Sequence, residues 1–231
     1  VNWVLYDELV RGQLNAPKHL LGIHDYGDGQ VITAYRPHAE SVCVTSASGK
    51  NPIHMEKLAD DFYGIYFENK KYKNNQYKIQ TKYQDGTTVT TADCYSFESQ
   101  ITDYDVYLFA EGKNYDIYEK LGAHPMTING VKGTYFAVWA PNARRVSVVG
   151  DFNMWDGALN PMQIQATSGI YELFIPDVCP GAVYKFQILT RNGDILYKAD
   201  PYGNYAQVRP DNANIVADLG VYKWKDAAWV T

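Results

Sequence analysis

Trp155 carries the sharpest chemistry in this sequence. It lies in Gly150-Asp-Phe-Asn-Met-Trp-Asp156, a polar turn-forming stretch that follows an apolar run. An exposed indole is a flat platform with little rotamer entropy to lose, and it suits the apolar C–H face of a sugar ring. The alternative is a half-buried tryptophan that packs its own loop. Lys185, in Tyr184-Lys-Phe186, faces outward if both aromatic neighbours face a core, because side chains alternate along a strand. It is then a ligand contact or a solvated surface lysine. His24 and His124 recur at matching places without a third metal ligand, which points to structural hydrogen bonding. Asp60-Asp61, Asp103 and Asp105 sit in acidic loops and read as solvated surface. No GxSxG, P-loop or HExxH occurs. The sequence holds no expected catalytic residue, metal site or cofactor.

The elements that would position these residues are mostly strands. Gln30–Tyr35, Ser41–Thr45, Tyr77–Tyr83, Tyr135–Trp139, Arg145–Val149, Ile170–Ile175 and Val183–Leu189 are β-branched and aromatic runs bounded by turn residues. Asp28-Gly29, Asp85-Gly86 and Asn192-Gly193 are hairpin-turn signals. Two short helices are expected. One covers Asp7 to Leu14 with Asp7 as N-cap, and the other covers Tyr115 to Leu121 and stops at Gly122. Trp139 reads as a core residue, with Tyr35 as its counterpart.

The 231 residues are 46% hydrophobic and 14% aromatic, including 20 Tyr, which suffices for a packed core and excludes disorder. The net charge of −5 argues against nucleic acid as a partner. No apolar run approaches the roughly 20 residues that span a bilayer, so no membrane partner is expected. Cys43, Cys94 and Cys179 are odd in number and form no CxxC pair; Cys43 and Cys179 read as small buried hydrophobes in a cytoplasmic protein. The chain opens on Val1 rather than a methionine, as a processed or shortened chain does.

The sequence repeats itself. Leu21-Gly22-x-His24 recurs as Leu121-Gly122-x-His124, and Tyr35-Arg-Pro-His-Ala39 as Trp139-Ala-Pro-Asn-Ala143. Gly64-Ile-Tyr66 matches Gly169-Ile-Tyr171, and Tyr77-Lys-x-Gln80 matches Tyr184-Lys-x-Gln187. Asp85-Gly86 matches Asn192-Gly193, and Ala92-Asp-x-Tyr95 matches Ala199-Asp-x-Tyr202. Six matches in order give an all-β chain of two tandem β-sandwiches, with short helices before each, divided as residues 1–107 and 108–231. The first copy has no counterpart of the Trp155 segment: after Val44 it reads Thr45-Ser-Ala-Ser-Gly-Lys50.

From Tyr118 to Val216 the sequence resembles the second N-terminal module of 1,4-α-glucan branching enzymes. The resemblance rests on Tyr118–Pro125, on Gly133–Asp156 with its Phe-Ala-Val-Trp-Ala-Pro-Asn-Ala and Gly-Asp-Phe-Asn-Met-Trp-Asp strings, and on Lys198–Tyr202. It implies an immunoglobulin-like sandwich of carbohydrate-binding module family 48, preceded by a related, diverged module. It also implies that Trp155 stacks on glucan and that Lys185 binds a glucan hydroxyl. A second stacking tryptophan of relatives falls near Ile195-Leu196, where Tyr197 is the substitute, and further polar contacts fall near Asn212 and Asn214. The partners it implies are an α-1,4-glucan (glycogen or a maltooligosaccharide) and a catalytic (β/α)₈ barrel. That barrel needs about 250 residues of its own, so it is absent and the chain alone is expected to be inactive. The segment Tyr222–Trp229 resembles the stretch just before it. Two other roles stay open: a structural spacer without useful glucan affinity, and a stand-alone glycogen-targeting module.

Overall fold

The computed structural model describes residues 1–73 and 76–221, so the Tyr222–Trp229 segment lies outside the described residues. Helix α1 (Trp3–Val10) leads into β1 (Gly22–Tyr26), β2 (Gly29–Tyr35), β3 (Ala39–Ser46), β4 (Ile53–His54), β5 (Glu56–Ala59), β6 (Phe62–Phe67), β7 (Tyr77–Tyr83) and β8 (Thr88–Ala92). Helix α2 (Asp103–Ala110) leads into β9 (Gly122–Ile128), β10 (Val131–Trp139), β11 (Ala143–Gly150), β12 (Gln163–Ile164), β13 (Ile170–Pro176), β14 (Val183–Thr190), β15 (Ile195–Lys198) and β16 (Asn214–Ile215).

Each half is a sandwich of two antiparallel sheets. The first has strand orders β1-β2-β6-β5 and β4-β3-β7-β8; the second has β12-β13-β10-β9 and β11-β14-β15, with β16 on β14. Between the first pair lie Ile32, Val42, Val44, Tyr63, Tyr77 and Ile79, and between the second Phe136, Val138, Val146, Val148, Tyr171, Leu173 and Phe186.

The duplication extends to individual hydrogen bonds. Gly22 and Gly122 have φ of +97° and +113°, and a Cβ at either would press on Tyr95 or on Tyr202. The buried Tyr77 and Tyr184 hydroxyls donate to Asp93 and Asp200, at 2.6 and 2.7 Å. Each aspartate also accepts the backbone N–H two residues on, at 3.0 and 2.8 Å. Register shifts fall between Ala39 and Ser41 and again between Ala143 and Arg145. The carbonyls of Ala39 and Ala143 accept the hydroxyls of Tyr63 and Tyr171.

That last pair corrects one sequence match. Tyr171 corresponds to Tyr63, not Tyr66, since Tyr63 pairs with Ala34 and Tyr171 with Val138. Likewise Gly169 corresponds to Asp61: both have positive φ, and their carbonyls accept from Ala140 and Arg36. The two Gly-Ile-Tyr strings sit at different depths of their strands.

The helices differ from the sequence expectation. Asn2, not Asp7, caps α1 by accepting from the Val4 and Leu5 amides, and Gly12 at φ +66° follows its end. Only one 3₁₀ turn, Ile117–Glu119, forms within 115–121. The second true helix is α2, where Thr102 and Asp105 form a reciprocal capping box. Asp103 and Asp105 therefore belong to a helix, not to a loop. Trp139 is half exposed, its ring edge-on to Phe109 at 5.6 Å, because its neighbour Val138 takes the core-facing position at the end of β10. Cys179 is exposed, in the turn after Val178, whereas Cys43 and Cys94 are buried. Burial pushes the Cys94 thiol up to about 12, which leaves it protonated and unreactive.

The two halves share a core. Leu9, Leu14, Leu20, Leu21, Phe62, Cys94 and Tyr95 belong to the same apolar cluster as Phe136, Val146 and Phe186. Across the junction the Tyr95 hydroxyl donates to the Pro161 carbonyl at 3.1 Å, the Lys18 amide to Gln163 at 3.1 Å, and the Ile164 amide to the Asn15 carbonyl at 2.9 Å. The buried Glu172 carboxylate accepts from the Gln100 and Ile101 amides and from the Tyr135 hydroxyl, tying the connecting segment to the second sandwich.

Tyr184→Phe removes the one hydroxyl that a side chain among the described residues donates to Asp200 and leaves a buried carboxylate short of a partner. Loss of such a partner costs about 1–3 kcal/mol, readable as a lower urea midpoint. Burial raises the Asp200 carboxyl above its usual range, and the Tyr184 hydroxyl opposes that rise. Without the hydroxyl the folded state takes up a proton at still higher pH than the unfolded state. The destabilisation therefore shrinks as pH falls through the raised Asp200 value.

Candidate functional site

Of the residues singled out from the sequence, Lys185 and Tyr197 lie on one face of one sheet, with Asn212 against Lys185. Along β14, Tyr184 and Phe186 enter the core, so Lys185 and Gln187 project to the opposite, outer face. On β11 the same alternation sends Val146 and Val148 inward and leaves Arg145 and Ser147 on the outer face. β15 adds Tyr197, paired with Gln187 in register and half exposed. The Gln187 amide donates to the Tyr197 hydroxyl at 2.9 Å. Lys185 Nζ donates to Asn212 Oδ1, which joins two expected residues that are 27 apart in sequence.

Trp155 lies on the loop that leaves β11, its amide donating to the Gly150 carbonyl at 3.0 Å. One 3₁₀ turn, Asp151–Asn153, starts the loop, held by Asn153, whose side chain accepts from Gly150 N and donates to the Val148 carbonyl. Met154 and Trp155 then take φ of 55° and 61° in succession. A left-handed backbone is costly for a bulky residue and marks a position that its surroundings over-determine. The indole is half-buried, and its Nε1–H donates to Asp151 Oδ1 at 2.8 Å. Beyond Trp155 the loop folds back over the outer face, and a Cβ at Gly157 would overlap the Gln187 amide.

Asn214 plays a different part from its expected partners. It is buried, accepts the Asp200 amide at 2.7 Å and donates to the Tyr205 carbonyl, so its side chain is used inside the fold. His124 Nε2 lies 2.9 Å from the Leu121 carbonyl, a structural contact. Among the described residues no three His, Cys, Asp or Glu side chains gather as a metal site.

Sequence reasoning did not single out Arg145. The residue is 4% exposed, yet its guanidinium's partners are neutral oxygens: Ser147 Oγ, the Gly157 carbonyl at 3.0 Å and Gln187 Oε1 at 2.7 Å. Nε has no hydrogen-bond partner among the described residues. Burial pushes the group below its usual range, opposed by the Asp156 carboxylate. The available signal was its outward register in Arg145-Val-Ser-Val-Val149. The first copy has Ser41 in the corresponding place.

The first sandwich holds the Trp155 loop from below. Tyr95 reaches the Pro161 carbonyl at the loop's end. Arg36, Thr81 and Tyr83 share a cleft with Asn153, Leu159 and Asn160.

Comparison with known proteins places both halves. Residues 3–95 match the family model described as alpha-1,4-glucan branching enzyme GlgB, N-terminal domain, and residues 120–203 match carbohydrate-binding module 48 (isoamylase N-terminal domain). The chain is 42% identical over 223 residues to the 1,4-alpha-glucan branching enzyme GlgB of Rubrobacter xylanophilus, covering 96% of this chain and 30% of that protein. It is 43% identical over 230 residues to the enzyme of the same name from Synechocystis sp., covering 96% and 29%. Over nearly its whole length the chain is similar to part of these branching enzymes, and its first half matches the model of their N-terminal domain. It spans about 30% of the length of these relatives. Among solved structures, a pullulanase from Anoxybacillus sp. LM18-11 complexed with maltotetraose covers 88% of this chain and 27% of its own, at 16% identity and a TM-score of 0.39. The family-48 match takes in Trp155, Lys185 and Tyr197 and ends before Asn212.

A left-handed residue other than glycine is strained, so Trp155→Gly and Trp155→Ala separate backbone from side chain. The glycine variant is expected to be more stable than the alanine variant by about 1 kcal/mol, measured as the difference between their urea midpoints.

Proposed function

We propose that the outer face of β11, β14 and β15 holds an α-1,4-glucan, glycogen or a maltooligosaccharide, through Trp155, Lys185, Tyr197 and Asn212. The observation that carries this reading is convergence: an outward lysine, a half-exposed tyrosine and an exposed amide come together at one face, and the loop that carries Trp155 folds back over it at Gly157. An indole and a phenol give the apolar platform that sugar rings stack on, and the lysine and amide give hydroxyl partners. Asn214 is left out because its amide is spent on Asp200 and Tyr205.

In the complete protein, on this proposal, the two modules position glucan for a catalytic (β/α)₈ barrel and pack against it. The barrel cuts an α-1,4-glucan and transfers the oligosaccharide to a 6-hydroxyl, making an α-1,6 branch. Residues 1–107 and 108–231 are proposed as the two modules and the cytoplasm as their compartment. No helix among the described residues is long and apolar enough to cross a membrane.

One observation favours a purely structural role. The polar atoms of Trp155, Lys185 and Tyr197 already bond to Asp151, Asn212 and Gln187, so ligand must compete with contacts inside the fold. Isothermal titration with maltoheptaose decides between the two roles. Binding by the wild-type chain and at least tenfold weaker binding by Trp155→Ala support the glucan site. Equal affinities, or no heat from either protein, favour the spacer.

A further inference from the structure

The outer face is not open at both ends. Where β11 and β15 carry Arg145 and Ile195, a cavity of ≈ 210 Å³ lies between the sheet, the returning Asp156–Ala158 loop and the first sandwich, with Leu9 and Gly12 from the end of α1 on its far side. Lys185 and Asn212 lie toward the other end of the same face, since Val149 pairs with Lys185 and Arg145 with Leu189. These two ends are four residues apart along β14, roughly 13 Å at the usual strand rise. A chain laid along the face from Lys185 toward Ile195 therefore runs into a wall supplied by the other module.

The polar groups at that wall suit a particular part of a glucan. Asp156 uses one carboxylate oxygen for the Ala158 amide at 2.8 Å, which leaves the other available as an acceptor. Arg145 is a buried cation whose hydrogen-bond partners among the described residues are all neutral and whose Nε–H has none among them. Ile195, half exposed on β15, offers the apolar contact. A carboxylate beside a guanidinium matches two adjacent sugar hydroxyls, one oxygen donating to the carboxylate while its neighbour accepts from the cation. In an α-1,4-glucan only the non-reducing terminal unit has a free 4-hydroxyl beside its 3-hydroxyl. Every interior unit also has two adjacent hydroxyls, at its 2- and 3-positions, but its 4-oxygen is part of the glycosidic bond, so its chain would have to run on through the wall. The closed end selects the terminal unit, and the carboxylate and guanidinium then meet its 3- and 4-hydroxyls.

We propose that this cavity is a subsite for the non-reducing terminal glucose of an α-1,4-glucan, so that the site reads chain ends rather than chain interiors. This rests on the glucan face described above and adds to it the first module's α1 as the stop. The test compares two probes by isothermal titration against the 231-residue chain: linear maltoheptaose, and β-cyclodextrin, a ring of the same seven α-1,4-linked units with no end. The wild type is expected to bind the linear probe at least tenfold more tightly. Ala158→Phe, which fills the cavity, is expected to bring the linear probe down to the affinity of the cyclic one without changing the latter. Asp156→Asn keeps the acceptor for the Ala158 amide and is expected to weaken the linear probe alone by about fivefold, which covers a failure of the larger side chain to fold. Equal wild-type affinities for both probes, or variants that leave the preference intact, overturn end recognition and leave the glucan face standing. Binding of neither probe overturns both readings.

Discussion

The apolar core that crosses the module junction governs the rest of this structure. Each sandwich could bury its own strands between its own sheets, as Ile32, Val44 and Tyr77 do in the first. The second does not stop there. Its cluster around Phe136, Val146 and Phe186 runs on into Leu9, Leu14, Leu20 and Tyr95 of the first half. Burial of apolar surface is the dominant favourable force in packing, so it holds the modules together without regard to direction. The hydrogen bonds of Tyr95, Lys18 and Ile164 then select one register.

That arrangement gives the two copies unequal jobs. Both keep the same internal frame: a glycine of positive φ beneath an aromatic residue, a buried tyrosine–aspartate pair, and a tyrosine bonded to the bulged strand. They part on the outer face. Where the second copy has Tyr197 hydrogen-bonded to Gln187, the first has Thr90 hydrogen-bonded to Gln80. Where the second has the Trp155 loop, the first has a tight turn at Ser46–Gly49. The first copy contributes its helix end and Tyr95 to its partner's face instead.

Most of this frame is legible in the sequence because period-two alternation and turn glycines are local. Five of the six repeat matches hold and identify the duplication, and the Tyr184-Lys-Phe186 alternation places Lys185 outward. What escaped depends on contacts made at a distance. Trp139 looks like core beside Val138, yet alternation turns it to the other face of β10, where only the edge contact with Phe109 partly covers it. The α2 residues carry a capping box at Thr102 and Asp105, but their aromatic and β-branched character hides a helix with no buried residue. Gly64 and Gly169 share a string but not a place, because one loop is longer than the other. Arg145 matters only because the loop at Gly157 folds back on it, a contact no strand pattern encodes.

The Glu172 carboxylate has a consequence for how these modules travel between proteins. It belongs to β13, yet two of its donors come from the segment that connects the halves. Pro161 of the aromatic loop leans in turn on a tyrosine of the other copy. A second sandwich excised at the connection and grafted elsewhere would carry a buried anion without its amides and a loop without its prop. The second sandwich alone would therefore keep its residues but lose two of the amides on Glu172 and the hydroxyl that meets the Pro161 carbonyl.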